Sequence, residues 1–152
     1  MPIESAFQRF TRIIKGWVGK SVDYDKAYGA QCVDFARQYA KDSGYPIGTF
    51  SWSAYNGWKT WSPFNNTWIR VTRDGSNFPI PGDIVFFAPT PKNLYGHVAI
   101  AHNNCNAKTL IIIEQNAGSG NWDGKGSNAI KITTTSYNGN RGVCVGWFTR
   151  RV

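Results

Sequence analysis

The sequence predicts an α+β domain, with N-terminal helices packed on a single antiparallel β-sheet of about six strands. Three observations carry this. Apolar residues recur at helical spacing in the first part of the chain. Short β-branched and aromatic runs, cut by Gly, Pro and Asn turns, fill the rest. Helices precede strands instead of alternating with them, which disfavours a doubly wound sheet. At 152 residues the chain has the length of one domain. Its 41% hydrophobic content and seven tryptophans supply enough apolar surface to offset the ordering entropy of folding.

Ile3, Phe7, Phe10, Ile14 and Trp17, with Arg9, Arg12 and Lys15 between them, predict an amphipathic helix ending before Gly19. After a loop, Val33, Phe35, Ala36, Tyr39 and Ala40 predict a second helix over Gln31 to Asp42, stopped near Gly44 and Pro46. Trp52, Tyr55, Trp58 and Trp61 predict a short helix within Thr49 to Asn66. The strands follow as Trp68–Thr72, Ile84–Phe87, His97–His102, Leu110–Gln115, Ala129–Thr133 and Val143–Phe148.

The net charge of +8 draws the surface toward polyanions: nucleic acid, anionic lipid or an acidic wall polymer. No apolar run is long enough to span a membrane, and the mixed basic and apolar N-terminus is not a Sec-type signal. An odd count of three cysteines argues against a disulfide-framed scaffold, and no CxxC pair points to zinc.

The chemistry concentrates in Asp23 to Asp34. Asp23, Asp25 and Asp34, with backbone carbonyls such as those of Ala27 and Gly29, offer the hard oxygen ligands that calcium takes, although the spacing is not that of an EF-hand. Acids at a helix N-terminus also suit the macrodipole without any metal. Cys32 falls in the first turn of the second helix, where unpaired N–H groups favour a sulfur anion. Cys105 sits in an Asn-rich turn without an activator, and Cys144 alternates with valines in a strand. The only two histidines, His97 and His102, lie five apart on one strand, so at most one of them faces Cys32. His97 follows Tyr95-Gly96 and opens the strand, which makes it the preferred base. A cysteine–histidine pair needs a third group to orient the imidazole. Glu114 and Asn116 share one face at the end of an otherwise apolar strand, and either can accept from His97. Gln31, with the Cys32 backbone N–H, is placed to donate to an oxyanion.

In order and separation, Gln31-Cys32-Val33-Asp34, Pro81-Gly82-Asp83-Ile84-Val85, Gly96-His97-Val98-Ala99-Ile100 and Glu114-Gln115-Asn116 resemble the CHAP family of cysteine, histidine-dependent amidohydrolases/peptidases. The likeness runs from about Asp23 to Trp147. The chain then reads as a single catalytic domain, residues 1–152, with residues 1–20 as an N-terminal helix. The resemblance implies a papain-like α+β fold and cleavage of an amide bond in bacterial peptidoglycan. Cys32 becomes the nucleophile, His97 the base, Glu114 the orienting acid and Asn116 an additional polar group. The acidic loop resembles that of calcium-binding phage endolysins active on Gram-positive walls, with Asp23, Asp25, Ala27, Gly29 and Asp34 as ligands and calcium as a structural ion.

Trp52, Trp58 and Tyr95 are candidates for a groove that holds an extended glycopeptide, although core packing is the favoured role for most of the rings in this part of the chain. The positive charge suits teichoic acids, and a monomer is expected. Without a signal peptide, the resemblance implies synthesis in a host cytoplasm and holin-type release to the wall. Two rival readings are a nucleic-acid-binding module and a non-catalytic wall-binding domain of the same fold. The first lacks a basic run and leaves Cys32, His97 and Glu114 without a task; the second requires a broken triad.

Overall fold

The computed structural model describes residues 3–24, 31–48, 53–61, 67–115 and 129–150. Among these residues three helices, α1 (Ala6–Trp17), α2 (Cys32–Asp42) and α3 (Ala54–Lys59), precede seven strands. These are β1 (Trp68–Thr72), β2 (Ile84–Phe87), β3 (His97–Ala101), β4 (Leu110–Glu114), β5 (Lys131–Thr135), β6 (Asn138–Gly139) and β7 (Gly142–Arg150).

Helix α1 starts later than the apolar spacing predicts because Ser5 caps it. The Ser5 hydroxyl accepts from the Gln8 N–H at 3.1 Å, and the Gln8 side chain accepts from the Ser5 N–H at 2.8 Å, a reciprocal arrangement that fixes the first turn. Ile3 is left outside, 93% exposed, while Phe10, Ile13 and Ile14 are buried. Helix α3 has its own cap in the Ser53 side chain, which accepts from the Asn56 N–H. It starts at Ala54 and ends at Lys59, inside the longer interval expected from the tryptophan spacing.

The sheet runs β1-β7-β2-β3-β4-β5, antiparallel throughout, and β6 forms a short hairpin with β7. All six expected strands are present. The fifth is displaced to Lys131–Thr135 because Ile130 is engaged elsewhere: its N–H donates to the Lys20 carbonyl, and its carbonyl accepts from the Gly19 N–H. The Asn138–Gly139 strand has no counterpart among the expected ones.

Both faces of the sheet are covered, so β2 and β3 are apolar without alternation. One face, with Trp68, Ile84, Phe86, Val98, Ile100, Ile113 and Phe148, packs on Phe10, Phe35, Tyr39 and Trp58 of the three helices. The other buries Val85, Phe87, Ala99, Leu110, Ile112 and Trp147 together with Tyr137, Cys105 and Cys144. All three cysteines are free. No helix among the described residues is long and apolar enough to cross a membrane.

Candidate active site

Cys32 is the first residue of α2 and partly exposed. The helix begins there because Gln31 and Asp34 close its end. The Asp34 carboxylate accepts from the Gln31 N–H at 2.9 Å, while the Gln31 carbonyl accepts from the Asp34 N–H at 3.1 Å. A carboxylate buried in the first turn also suits the positive end of the helix.

A second set of bonds fixes this helix start from the sheet. Gln115, fully buried just past β4, donates through Nε2 to the carbonyls of Val22 (2.9 Å) and Gln31 (2.7 Å). Its Oε1 accepts from the Val22 N–H at 2.8 Å. One amide therefore ties the chain on either side of the acidic loop to the end of β4.

His97 opens β3 and is buried, its ring packed 5.8 Å from that of Phe87. Gly96 lets it sit there. At φ +73° a Cβ on residue 96 would stand 2.7 Å from the Phe87 carbonyl oxygen and 2.8 Å from Tyr55 Cβ, so any other residue would push the strand entrance away from α3. The pairing of Ile100 with Ile113 and Ala101 with Ile112 puts Glu114 on the same sheet face as His97. His97 Nε2 lies 2.9 Å from Glu114 Oε1. The Cys32 side chain also favours the charged form of the imidazole; with Nε2 taken by Glu114, Nδ1 is the nitrogen left to face sulfur.

Electrostatics follow from this geometry. Burial, the largest influence on His97, disfavours its charged form, but Cys32 and Glu114 together outweigh it and raise the pKa to about 9. Glu114 is wholly buried, which alone would raise its pKa; Arg141 and then His97 reverse that and hold it at about 2. Both shifts favour the charged forms, an imidazolium beside a carboxylate. His102 is elsewhere: Nδ1 accepts from the Asn103 N–H at 2.6 Å, and the ring stands edge-on to Phe10 of α1.

Arg141, to which the sequence reading gave no role, meets Glu114 through both carboxylate oxygens. Gln115 was equally silent, read only as part of the motif around it. The signal for Arg141 was the Asn/Gly-rich stretch Asn138 to Gly142, in which Asn140-Arg141 forms the two-residue turn between the paired Gly139 and Gly142.

Trp58 corrects one expectation. It is 7% exposed, with its ring stacked 6.0 Å from Phe148 and 5.8 Å from Phe86, so it fills the helix–sheet core and does not line a groove. Tyr95 is exposed two residues before His97. Asn116, Trp52, Asp25, Ala27 and Gly29 lie outside the described residues. Among the described residues no three His, Cys, Asp or Glu side chains gather as a metal site. Asp23 Oδ1 is nevertheless buried without a hydrogen-bond partner.

A cysteine at a helix N-terminus that acts electrostatically on a histidine of an antiparallel sheet, with helices leading the chain, defines the papain-like α+β class. Within that class the chain belongs to the CHAP domain family, whose model matches residues 20–116, more than half of the sequence. The fold is similar to that of the wild-type endolysin LysIME-EF1, with a TM-score of 0.75 and 21% identity over 97% of this chain. It is also similar to Ly7917, with a TM-score of 0.61 and 21% identity over 96% of this chain. Ly7917 has been crystallised with the hydrolyzing product of MDP as well, in a structure of TM-score 0.60 and 22% identity over 96% of this chain. The chain spans 64% of the LysIME-EF1 chain and 62% of either Ly7917 chain. No curated protein matches the sequence.

Proposed function

We propose that this chain is the catalytic domain of a peptidoglycan hydrolase of the endolysin kind, cutting an amide bond by a cysteine nucleophile. The observation that carries the reading is the position of His97, with Nε2 2.9 Å from a buried, ionised Glu114 and its charged form favoured by the Cys32 side chain as well. A histidine charged and oriented in this way has little use in packing, since burying two ions costs more than an apolar pair of the same size.

In the proposed reaction the Cys32 thiolate attacks the carbonyl carbon of an amide in the peptide stem or cross-bridge. The C–N bond breaks as the His97 imidazolium gives its proton to the departing amine. Water then attacks the thioester while His97 takes a proton from it, and the C–S bond breaks to return the thiolate. Glu114 holds the ring for both steps. Gln31 and the Cys32 N–H are the proposed donors to the oxyanion, and Asn116 a further polar group beside the base. Tyr95 is the remaining candidate for contact with an extended glycopeptide. Teichoic acids are proposed as charge-matched surroundings of the substrate, consistent with the net charge of +8.

Calcium fits as a structural ion. A buried carboxylate oxygen without a hydrogen-bond donor, as on Asp23, is what a hard cation satisfies. Asp23, Asp25 and Asp34 with the carbonyls of Ala27 and Gly29 would hold it. The ion would order the loop that leads into Gln31 and Cys32, and Asp34 would serve both the ion and the helix start.

Digestion of purified Gram-positive walls followed by mass analysis of the fragments tests this reading. Wild-type protein is expected to release new amino termini, and the fragment masses distinguish a cut between muramic acid and L-alanine from one in the stem or bridge. Cys32→Ala is expected to release none. Exhaustive chelation is expected to lower both the rate and the melting temperature, and Asp23→Asn to abolish the response to added calcium. Undiminished release by Cys32→Ala would refute the nucleophile, and indifference of both readouts to chelation would remove the ion.

A further inference from the structure

Glu114 is wholly buried and is gripped by Arg141 as well as by His97. Arg141 donates through Nε to Oε1 at 2.9 Å and through Nη2 to Oε2 at 2.6 Å. A fork of this kind fixes the plane of the carboxylate as well as its charge, which a single ammonium does not. We propose that Arg141 is a positioning residue of this site, holding Glu114 in the orientation and charge that His97 requires. The inference rests on reading Cys32, His97 and Glu114 as the reacting group and its supports.

Three features distinguish this pair from an ordinary surface ion pair. The first is burial: the Arg141 side chain is 16% exposed and Glu114 is not exposed at all, whereas Arg12 of α1, in its pair with Glu4, is 62% exposed. The second is sharing. Oε1 receives both Arg141 Nε and His97 Nε2, so rotation of the carboxylate away from Arg141 would also break the histidine contact. The third is that the fold delivers Arg141 rigidly. It occupies the turn between β6 and β7, and Gly142 beside it has φ +103° with the Ala88 carbonyl oxygen 2.6 Å from where a Cβ would be. The Ala88 N–H donates to the Val143 carbonyl at 2.8 Å, which locks the hairpin to the end of β2. The arginine is thus held from the hairpin, independently of β3 and β4.

The other groups around Glu114 do not replace it. The Thr133 hydroxyl of β5 favours the charged carboxylate only weakly, as the least of the influences on it, and carries no charge. Lys131 pairs with Glu114 in register across β4 and β5, but its side chain is exposed. Cys32 of α2 reaches Glu114 only through His97. Without Arg141, burial would dominate and push the Glu114 carboxyl toward its neutral form, which cannot orient or charge the imidazole.

The test compares wild type, Arg141→Met, Arg141→Lys and Cys32→Ala in wall digestion as a function of pH. Arg141→Met is expected to lower kcat about 10- to 100-fold, the range for a lost outer-shell partner, with KM little changed. The acidic limb of its kcat profile is expected to move to higher pH as Glu114 becomes easier to protonate. Arg141→Lys keeps the charge without the fork and is expected to recover part of the rate, with the limb in between. Because the chain has only two histidines, ring resonances give a second readout: the His97 titration shifts in Arg141→Met while that of His102 does not. A lower melting temperature with an unmoved limb and an unmoved His97 titration would mean a purely structural arginine and overturn the proposal. Cys32→Ala separates the two readings. If it still releases fragments, the site reading fails and this inference with it; if it is inert while Arg141→Met works like wild type, only the role of Arg141 fails.

Discussion

His97 is a buried base whose charge is set by neighbours at both ends of its ring. Its folded pKa, about 9, lies above the ordinary histidine value of 6.5. The stability gained from this is therefore fully present below about pH 6.5 and is lost as pH rises through about 9. Glu114→Gln removes the charge but keeps an oxygen for the Nε2–H, and its new amide N–H groups face the Arg141 fork. Loss of the orienting carboxylate in such a triad costs about 10²- to 10⁴-fold in rate, so wall digestion by Glu114→Gln is expected to fall at least 10²-fold. The same variant should lose less stability than wild type between about pH 6.5 and 9, because His97 no longer gains a counter-charge on folding. Urea titrations at the two pH values check this, and an unchanged difference would show that Glu114 does not set the charge of His97.

At the scale of elements, the end of β4 does two jobs because side chains alternate along a strand. Glu114 points to the histidine, and the next residue, Gln115, to the start of α2. Gln115→Leu has a similar volume but leaves the Val22 N–H and the Val22 and Gln31 carbonyls without their buried partner. At about 1–3 kcal/mol for each unsatisfied group, with water reaching some of them, a total loss of about 2–4 kcal/mol is expected in urea unfolding. Activity should fall as well, because the helix bearing Cys32 is no longer tied to the strand bearing Glu114. Stability within about 0.5 kcal/mol of wild type would show that the clasp is dispensable. The elements that carry Cys32, His97 and Glu114 were legible because their apolar periods are strong and both sheet faces are buried. The partners Gln115 and Arg141 were not, for a physical reason. A polar residue's role depends on which strands become neighbours, and here β7 returns from the end of the chain to lie between β1 and β2. Periodicity fixes which residues share a face, whereas strand order comes from packing between distant segments. The two roles left open for Trp58 needed the structure for the same reason: its spacing is that of a helix, but only the sheet it meets decides whether the ring faces a groove or a core.

Across the whole molecule, three buried groups shape stability against pH in opposing directions. Glu114 has a depressed pKa, so its contribution is present above about pH 4.5 and lost as pH falls through about 2. Asp83 behaves in the opposite sense. Burial before β2 is the largest influence and raises it to about 7, against the opposing effects of the Ile80 N–H, the Thr149 hydroxyl and Arg150. The folded state therefore binds the Asp83 proton more tightly than the unfolded chain does, and stability declines as pH rises from about 3.8 through about 7. His97 continues the decline from about 6.5 through about 9. With a net charge of +8, self-repulsion adds to the loss at the acidic end as the remaining carboxylates are protonated. Unfolding free energy is thus expected to peak in mildly acidic buffer and to fall steadily toward alkaline pH. Asp83→Asn keeps an oxygen for the Ile80 N–H, held at 3.0 Å from Oδ2, and cannot ionise. It is expected to flatten the segment between about pH 4 and 7 while leaving the fall above pH 7, which belongs to His97, in place. Urea unfolding across this range measures both; a curve that rises from pH 4 to 8 in wild type, or one that Asp83→Asn leaves unaltered, would show that Asp83 does not bind its proton more tightly in the folded state.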